Sequence, residues 1–478
     1  MKETTEDKLL ANEQDIENLH ETSSLKEGFD IPTVLLAGTG FMIDAYDIFV
    51  ISILLPLIYQ TYYPSETRPY ISTFASDYPV VDGLLKVCTH VGNIIGQIGF
   101  GIAGDVFGRN KVYGIEMMIV LVSTIGCTLA ASSVRTFSIL PVLGFWRVLM
   151  GIGMGGDYPQ SATITAERAG PKYRGMMVSA VFSMQGIGIL LGSIVTITTM
   201  LFLRDDIIKD FYNLDYVWRI VLLFSIIPSA IVLYFRLTLK ESKAYTRIKR
   251  ADSNDTCHKI IDFREWISDK RNSIRLFSCA YCWFALDIAW YGLSLNQPLI
   301  LSLIGFGGHD GYRSAFDKYY ELALGGLIIS LLGTVPGYWM TVALIEKMGR
   351  KYIQCLGFIV IGTCLTILAL FWNIIKESAA LFVLVFTISQ FFFNFGPNVT
   401  TFVIPSELFP TRFRSRCHGI SAASGKVGAI VGVALVNPYF EHYPSLVLAL
   451  YALIMFSGFF VTLLLPETKG EFIDEYDQ

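Results

Sequence analysis

Charge is scarce in this chain. Asp, Glu, Lys and Arg make up 16% of its 478 residues, against about 25% in a typical soluble domain. There are only 6 histidines, and the formal net charge of −4 comes without a basic stripe, which argues against a nucleic-acid partner. The 8 cysteines, at positions 88, 127, 257, 279, 282, 355, 364 and 417, show neither metal-ligand nor disulfide spacing. Most fall inside apolar runs and read as small core residues. No nucleophile–base pair or metal cluster stands out. The glycine-rich stretch Gly151–Gly156 has no preceding strand and no closing Gly-Lys-Ser/Thr, so it is not a nucleotide phosphate loop. An enzyme is therefore not expected, nor a cofactor or metal. Met1–Asp30 is polar and acidic-leaning, unlike a cleaved signal peptide.

Apolar sequence fills the rest. The chain is 53% hydrophobic with a mean hydropathy of +0.50. About twelve apolar runs can each span a bilayer: roughly 33–59, 83–104, 112–132, 137–165, 175–203, 216–237, 273–305, 319–345, 352–374, 379–405, 416–440 and 443–466. An all-α polytopic membrane protein with twelve transmembrane helices is expected. Lys and Arg concentrate in alternate connections, which the positive-inside rule places in the cytoplasm with both termini. Arg236 to Arg275 is the single long polar interruption and divides the runs six and six. The expected organisation is a tail at 1–32, a six-helix bundle at 33–237, a cytoplasmic linker at 238–272, a second bundle at 273–466 and a tail at 467–478. The Asn254 and Asn398 glycosylation patterns fall in a cytoplasmic and an intramembrane stretch, so neither is usable.

The two halves echo one another. Asp105-Val-Phe-Gly-Arg109, read as the short loop after the second span, recurs as Glu346-Lys-Met-Gly-Arg350 at an offset of 241. Glu167, Arg174 and Asp47 recur as Glu407, Arg414 and Asp287, each at 240. Several matches at one offset argue for an internal duplication with a site between related halves.

Against this apolar background a few charges stand out. Lys426 sits in Ser421–Val436, a run with no other charge. A lysine at the bilayer centre costs roughly 2.5–3.5 kcal/mol, so it needs a partner. Asp44, Asp47, Asp157 and Asp287 lie in equally apolar runs. Trp283, Asp287 and Tyr291 are spaced i, i+4, i+8 and share one helical face with Ser294. A carboxyl between an indole N–H and a phenol suits an oxyanion when protonated, and burial and a neighbouring anion both favour that neutral form. Asp44 and Asp47, one turn apart, disfavour simultaneous ionisation, which suits a proton relay. Gln185 and Asn398 are amides at membrane depth, able to donate hydrogen bonds without adding charge. Gly186, next to Gln185, is the repeat counterpart of Lys426 at an offset of 240.

Gly101-x-x-x-Asp105-x-x-Gly108-Arg109 and Arg147-x-x-x-Gly151-x-Gly153 resemble signatures of the major facilitator superfamily, and Pro466-Glu-Thr-Lys-Gly470 is similar to its sugar-porter branch. Gly155-Gly-Asp-Tyr-Pro-x-Ser-Ala-Thr163 with Glu167, Asn394-Phe-Gly-Pro-Asn398 and Ser424-Gly-Lys426 resemble the fungal and plant proton-coupled inorganic phosphate symporters. The resemblance covers nearly the whole chain. It implies the major facilitator fold, two pseudo-symmetric six-helix bundles, and import of phosphate with protons by alternating access. It further implies a plasma-membrane protein acting as a monomer in the lipid bilayer. It places phosphate contacts at Tyr158, Gln185, Asp287 and Asn398, and the residue reading adds Trp283, Tyr291 and Lys426 to the same site. Asp44, Asp157 and Asp287 fall on the proton route, and the repeat adds Asp47. Asp105, Arg109, Glu167 and Arg174, with Glu346, Arg350, Glu407 and Arg414, are expected to form a breakable cytoplasmic gate. Two departures from the family pattern are Leu239-Lys-Glu-Ser-Lys243 after the sixth span and Gln160 at a usually apolar position. Alternatives are an organophosphate symporter, for example of glycerophosphodiesters, and a phosphate-sensing transporter-receptor. A lysine in an apolar span suits an anion better than a neutral sugar.

Overall fold

A backbone surrounded by hydrocarbon must satisfy its own N–H and C=O groups, and a helix does so within one segment. The computed structural model describes residues 29–64, 74–131, 138–238, 263–304 and 314–470, and no strand occurs among them. Twelve helical spans follow in order. In the first half they are α1 (Ile31–Tyr62, interrupted at Val50), α2 (Pro79–Phe107), α3 (Ile115–Thr128), α4 (Ile139–Arg168), α5 (Arg174–Phe202) and α6 (Phe211–Leu237). In the second they are α7 (Lys270–Ser294), α8 (Ala315–Met348), α9 (Arg350–Leu370), α10 (Ala379–Leu408), α11 (Arg414–Val436) and α12 (Pro444–Thr462). Most of the N-terminal tail and linker and the end of the C-terminal tail, with the Leu239–Lys243 departure, Asn254 and Cys257, lie outside the described residues.

Two local breaks have sequence causes. In α8 the helix widens to a π turn at Ser330–Thr334, just ahead of Pro336, which has no N–H to continue the ladder. In α10 the chain breaks at Phe395–Gly396 between Ala379–Asn394 and Pro397–Leu408, bringing Asn394 and Asn398 to the interruption.

The expected loop at Asp105–Arg109 is corrected. With 29 residues, α2 is about 43 Å long and outruns the hydrocarbon, so Gly101 to Phe107 remain helical. The turn comes at Gly108, whose φ of 107° is open to glycine, and the repeat places Gly349 (φ 92°) at the matching corner. Arg236 also differs from its sequence reading. Counted as the first residue of the polar interruption, it ends α6 as a buried side chain, 1% exposed.

Within the first half, α1 packs along α5 and α4 lies between α2 and α3; within the second, α7 packs along α11 and α9 along α12. The halves meet chiefly where α2 crosses α11 and α5 crosses α8. Under a six-and-six repeat these crossings are counterparts, because α2 corresponds to α8 and α5 to α11. The α2–α4 approach depends on glycine. A Cβ on Gly151 would stand 2.0 Å from the carbonyl oxygen of Thr89, and one on Gly155 would stand 2.5 Å from that of Asn93. Gly151→Val should therefore wedge α4 off α2, costing about 1–3 kcal/mol. Thermal unfolding of the purified variant is expected to show a midpoint several degrees lower, and an unchanged midpoint would contradict the close packing.

Candidate functional site

Five helices deliver the expected ligand residues to one buried point. α11 carries Lys426, and α7 carries Trp283, Asp287 and Tyr291 on successive turns of one face. α4 supplies Tyr158, α5 Gln185 and α10 Asn398. None of the seven side chains is more than 3% exposed.

The Lys426 ammonium donates to Asp287 Oδ2 at 3.0 Å and to the Tyr291 hydroxyl at 2.9 Å. It also lies over the rings of Tyr291, 4.3 Å from the centroid, and Tyr158, 5.0 Å away. The buried lysine thus has a carboxylate, a phenol and two π faces as partners. Of the four candidate carboxylates, Asp287 is the partner. A chain of neutral groups continues from there. Gln185 Nε2 donates to the Tyr158 hydroxyl at 3.3 Å, and the Tyr338 hydroxyl donates to Gln185 Oε1 at 3.4 Å. Asn398 Nδ2 donates to Tyr338 at 2.8 Å and to Asn394 Oδ1 at 2.8 Å. Trp283 closes the site with its ring, 6.3 Å from Tyr158 and edge-on to His418 at 5.4 Å. Ser294, read as part of the α7 face, instead lines a separate cavity with Phe49, Ser193 and Gln297.

Tyr338 and Asn394 escape sequence reasoning. Tyr338 follows Pro336-Gly337 in an apolar span, and nothing in its spacing marks it. Asn394 sits inside a quoted motif, but only the break in α10 turns it toward Asn398.

The remaining acids separate. Asp157 Oδ2 accepts from Arg236 at 2.7 Å, and Ser161 donates to its other oxygen. Arg236 also donates to Glu116 at 3.2 Å and stacks on Tyr113. Asp44 is 1% exposed and faces this cluster, yet neither of its oxygens has a hydrogen-bond partner among the described residues. Asp47, expected beside Asp44, instead reaches Thr124 Oγ1 at 3.4 Å, and Arg147 donates to its backbone carbonyl at 3.4 Å. Arg236, Glu116 and Arg147 were legible only as charges near helix ends or within a signature. Their convergence on Asp157, Asp44 and Asp47 is tertiary.

The eight expected gate residues lie at one end of the molecule. Arg109 pairs with Asp105 (3.3 Å) and Glu167 (3.1 Å), and Arg350 pairs with Glu346 (2.7 Å) and Glu407 (2.8 Å). Contacts also cross between the halves here. Arg414 lies 3.7 Å from Glu167, Arg109 donates to the Thr411 carbonyl (2.8 Å), and the backbone N–H groups of Arg416 and Met176 donate to Asp105 (2.8 Å) and Glu346 (3.0 Å). Arg174 is buried at the same end, at the start of α5. At the opposite end Lys86 donates to Asp82 (2.6 Å) and to Asn296 (2.8 Å), and Tyr319 donates to Gln60 (3.1 Å), so the halves touch there too.

The family model described as "Sugar (and other) transporter" matches residues 33–274 and 317–478. A repressible high-affinity phosphate permease of Neurospora crassa is 36% identical, over 94% of this chain and 86% of its own. The inorganic phosphate transporter PHO84 of Saccharomyces cerevisiae is 34% identical, over 95% and 85%. The low affinity inorganic phosphate transporter 4 of Medicago truncatula is also 34% identical, over 95% and 92%. Among solved structures, the major facilitator superfamily proton:xylose symporter XylE bound to 6-bromo-6-deoxy-D-glucose superposes with a TM-score of 0.70 at 18% identity, covering 93% of this chain and 98% of that one. The partially occluded inward open conformation of XylE from E. coli gives 0.68 at 17%, covering 92% and 98%.

The Lys426–Asp287 contact can be tested without any assumption about function. Removing one partner of a buried pair leaves the other uncompensated, at about 3–5 kcal/mol, whereas replacing both with apolar residues is often tolerated. Lys426→Met should lower the unfolding temperature clearly, and adding Asp287→Leu should recover part of the loss. A double variant less stable than the single would contradict the pairing.

Proposed function

The chain belongs to the inorganic phosphate transporters within the sugar (and other) transporter family, of major facilitator fold, and from that premise we propose that it carries inorganic phosphate across the membrane together with protons by alternating access. The relatives' names support phosphate as the cargo. The observation that carries the reading is the Lys426 ammonium, buried at 1% exposure and held by the carboxylate of Asp287 at 3.0 Å.

Phosphate and an ionised Asp287 compete for the same cation. An anion entering beside Lys426 meets repulsion from Asp287 as long as that carboxyl is charged. Protonation removes the repulsion, frees the ammonium and turns the carboxyl into an O–H donor. Lysine suits such a reversible contact, because its point charge imposes no bidentate geometry. The amides of Gln185 and Asn398 and the hydroxyls of Tyr158 and Tyr291 then offer donors to phosphate oxygens. Loss of the proton restores the Lys426–Asp287 pair and expels the anion. Importing each negative charge against 100 mV costs about 2.3 kcal/mol, and co-entering protons offset it.

Alternating access requires that the mouths open in turn. The end bearing Asp105, Glu167, Glu346 and Glu407 faces the cytoplasm, as do both termini, a reading supported by the Lys/Arg bias of the connections, and the family resemblance supports the plasma membrane as the location. Its cross-half contacts are the gate that breaks when the site opens inward. Asp44 and Asp157, with Arg236 beside them, lie in the same half as Tyr158 and form the proton-accepting cluster. Asp47, bound up with Thr124 and Arg147, is a weaker candidate for that role.

In proteoliposomes with an inward-directed proton gradient, Asp287→Asn is expected to lose concentrative uptake of radiolabelled phosphate at least tenfold. Full accumulation against a gradient by this variant would refute the coupling role. An excess of glycerophosphodiester should leave uptake intact, and competition by the diester at equal concentration would favour an organophosphate carrier.

A further inference from the structure

One face of α2 has no account in the transport scheme. Lys86, His90, Asn93, Gln97, Gly101 and Asp105 recur at intervals of three and four residues and so lie along one stripe of the helix. That stripe runs the length of the boundary between the halves. Lys86 reaches Asn296 at one end, the His90 ring stands edge-on to Tyr291 at 4.4 Å, and Asp105 accepts from the backbone of Arg416 at the other end. The middle of the stripe is the anomaly. His90, Asn93 and Gln97 are each 0% exposed, yet both ring nitrogens of His90 and all the amide N and O atoms of Asn93 and Gln97 have no hydrogen-bond partner among the described residues. Leaving a buried donor or acceptor unsatisfied costs about 1–3 kcal/mol, and three such side chains on one stripe carry six such atoms.

Gln160, the unusual residue in the α4 motif, joins this stripe. Its Nε2 donates to the Phe100 carbonyl of α2 at 2.7 Å and to Ser415 Oγ of α11 at 3.2 Å, while its Oε1 is unpartnered. It therefore sits between Gln97 and Asp105, at the crossing of α2 and α11.

We propose that His90, Asn93, Gln97 and Gln160 bind a file of water molecules between α2, α4 and α11, and that this file conducts protons between the Lys426–Asp287–Tyr291 site and the mouth at Asp105. Buried polar atoms that lack protein partners are the groups that bound water satisfies, each water taking two to four of them. An imidazole accepts a hydrogen bond at one nitrogen and donates at the other, and an amide offers both donor and acceptor, so these side chains hold the waters in line while the proton passes from water to water and the side chains keep their own protons. Lys426 and Arg147 are the charged groups that face the His90 ring. The file starts at Tyr291, already bonded to Lys426, and gives the site an outlet to the mouth at Asp105 in addition to the Asp44–Asp157 cluster, where Arg236 engages the Asp157 carboxylate. This inference rests on proton-coupled transport as proposed above, and adds the route.

The test uses the purified full chain in proteoliposomes with an internal pH dye and radiolabelled phosphate, reading phosphate exchange at equal pH and proton influx during net uptake. Asn93→Leu/Gln97→Met keeps the volume and removes the hydrogen-bonding atoms; Asn93→Ser/Gln97→Ser keeps polarity and adds room. The expected result is exchange at the parent rate in both variants, with proton influx and net uptake at least tenfold lower in the apolar pair and retained in the serine pair. Equal proton influx in the two pairs would overturn the file. Lack of any phosphate-dependent proton influx in the parent protein would overturn the coupled-transport reading itself, and the file with it.

Discussion

The lysine–carboxylate contact at the centre of the molecule dictates how the helices around it pack. An ammonium at that depth is tolerable only if a carboxylate comes within hydrogen-bond reach. That requires α11 and α7 to approach more closely than ordinary side chains allow. Gly425, Gly428 and Gly432 lie on the face of α11 turned to α7, where a Cβ on Gly425 would stand 2.8 Å from Asp287 Oδ2 and one on Gly432 would stand 1.9 Å from the Ile288 carbonyl. The small residues around Lys426 are thus the reason the charge can be buried, and the tightest contact within the second half follows from the same pair.

The duplication explains where the site lies and why it is asymmetric. The four helices that bring the halves together, α2, α5, α8 and α11, are two counterpart pairs, and both halves carry matched corner glycines and matched Arg–Glu pairs at the same end. At the midplane the copies diverge. Lys426 stands where the other half has Gly186, whose missing side chain leaves room for the Tyr338 ring. Asp287 turns toward α11, while its counterpart Asp47 turns toward α3 and α4. One half supplies the charged pair and the other supplies Tyr158 and Gln185, so the site exists only between them.

Legibility in the sequence depended on how far each feature is local. The α7 triad was visible because helical spacing alone puts Trp283, Asp287 and Tyr291 on one face. Lys426 was visible because a single charge in an apolar run has few explanations. Tyr338 was not, since a phenol in an apolar span is unremarkable until its hydroxyl is seen between Gln185 and Asn398. Arg236 was read only as the start of a polar stretch at the edge of the sixth span, and it took the position of the α6 end to show it buried against Asp157 and Glu116. The separation of Asp44 from Asp47 was likewise hidden, because a three-residue step allows a shared face or two neighbouring ones.

The sequence by itself determined the helical class, the twelve spans, the six-and-six repeat and the charges that demand partners. These follow from hydropathy, from spacing along one helix and from the cost of an unpaired charge in hydrocarbon, none of which needs a second helix. Only the tertiary structure decided which carboxylate answers Lys426, which acids meet Arg236, and that polar atoms of α2 line the boundary between the halves. Those are distances between segments far apart in the chain, and they depend on how closely glycine-faced helices come together and where helices such as α10 break.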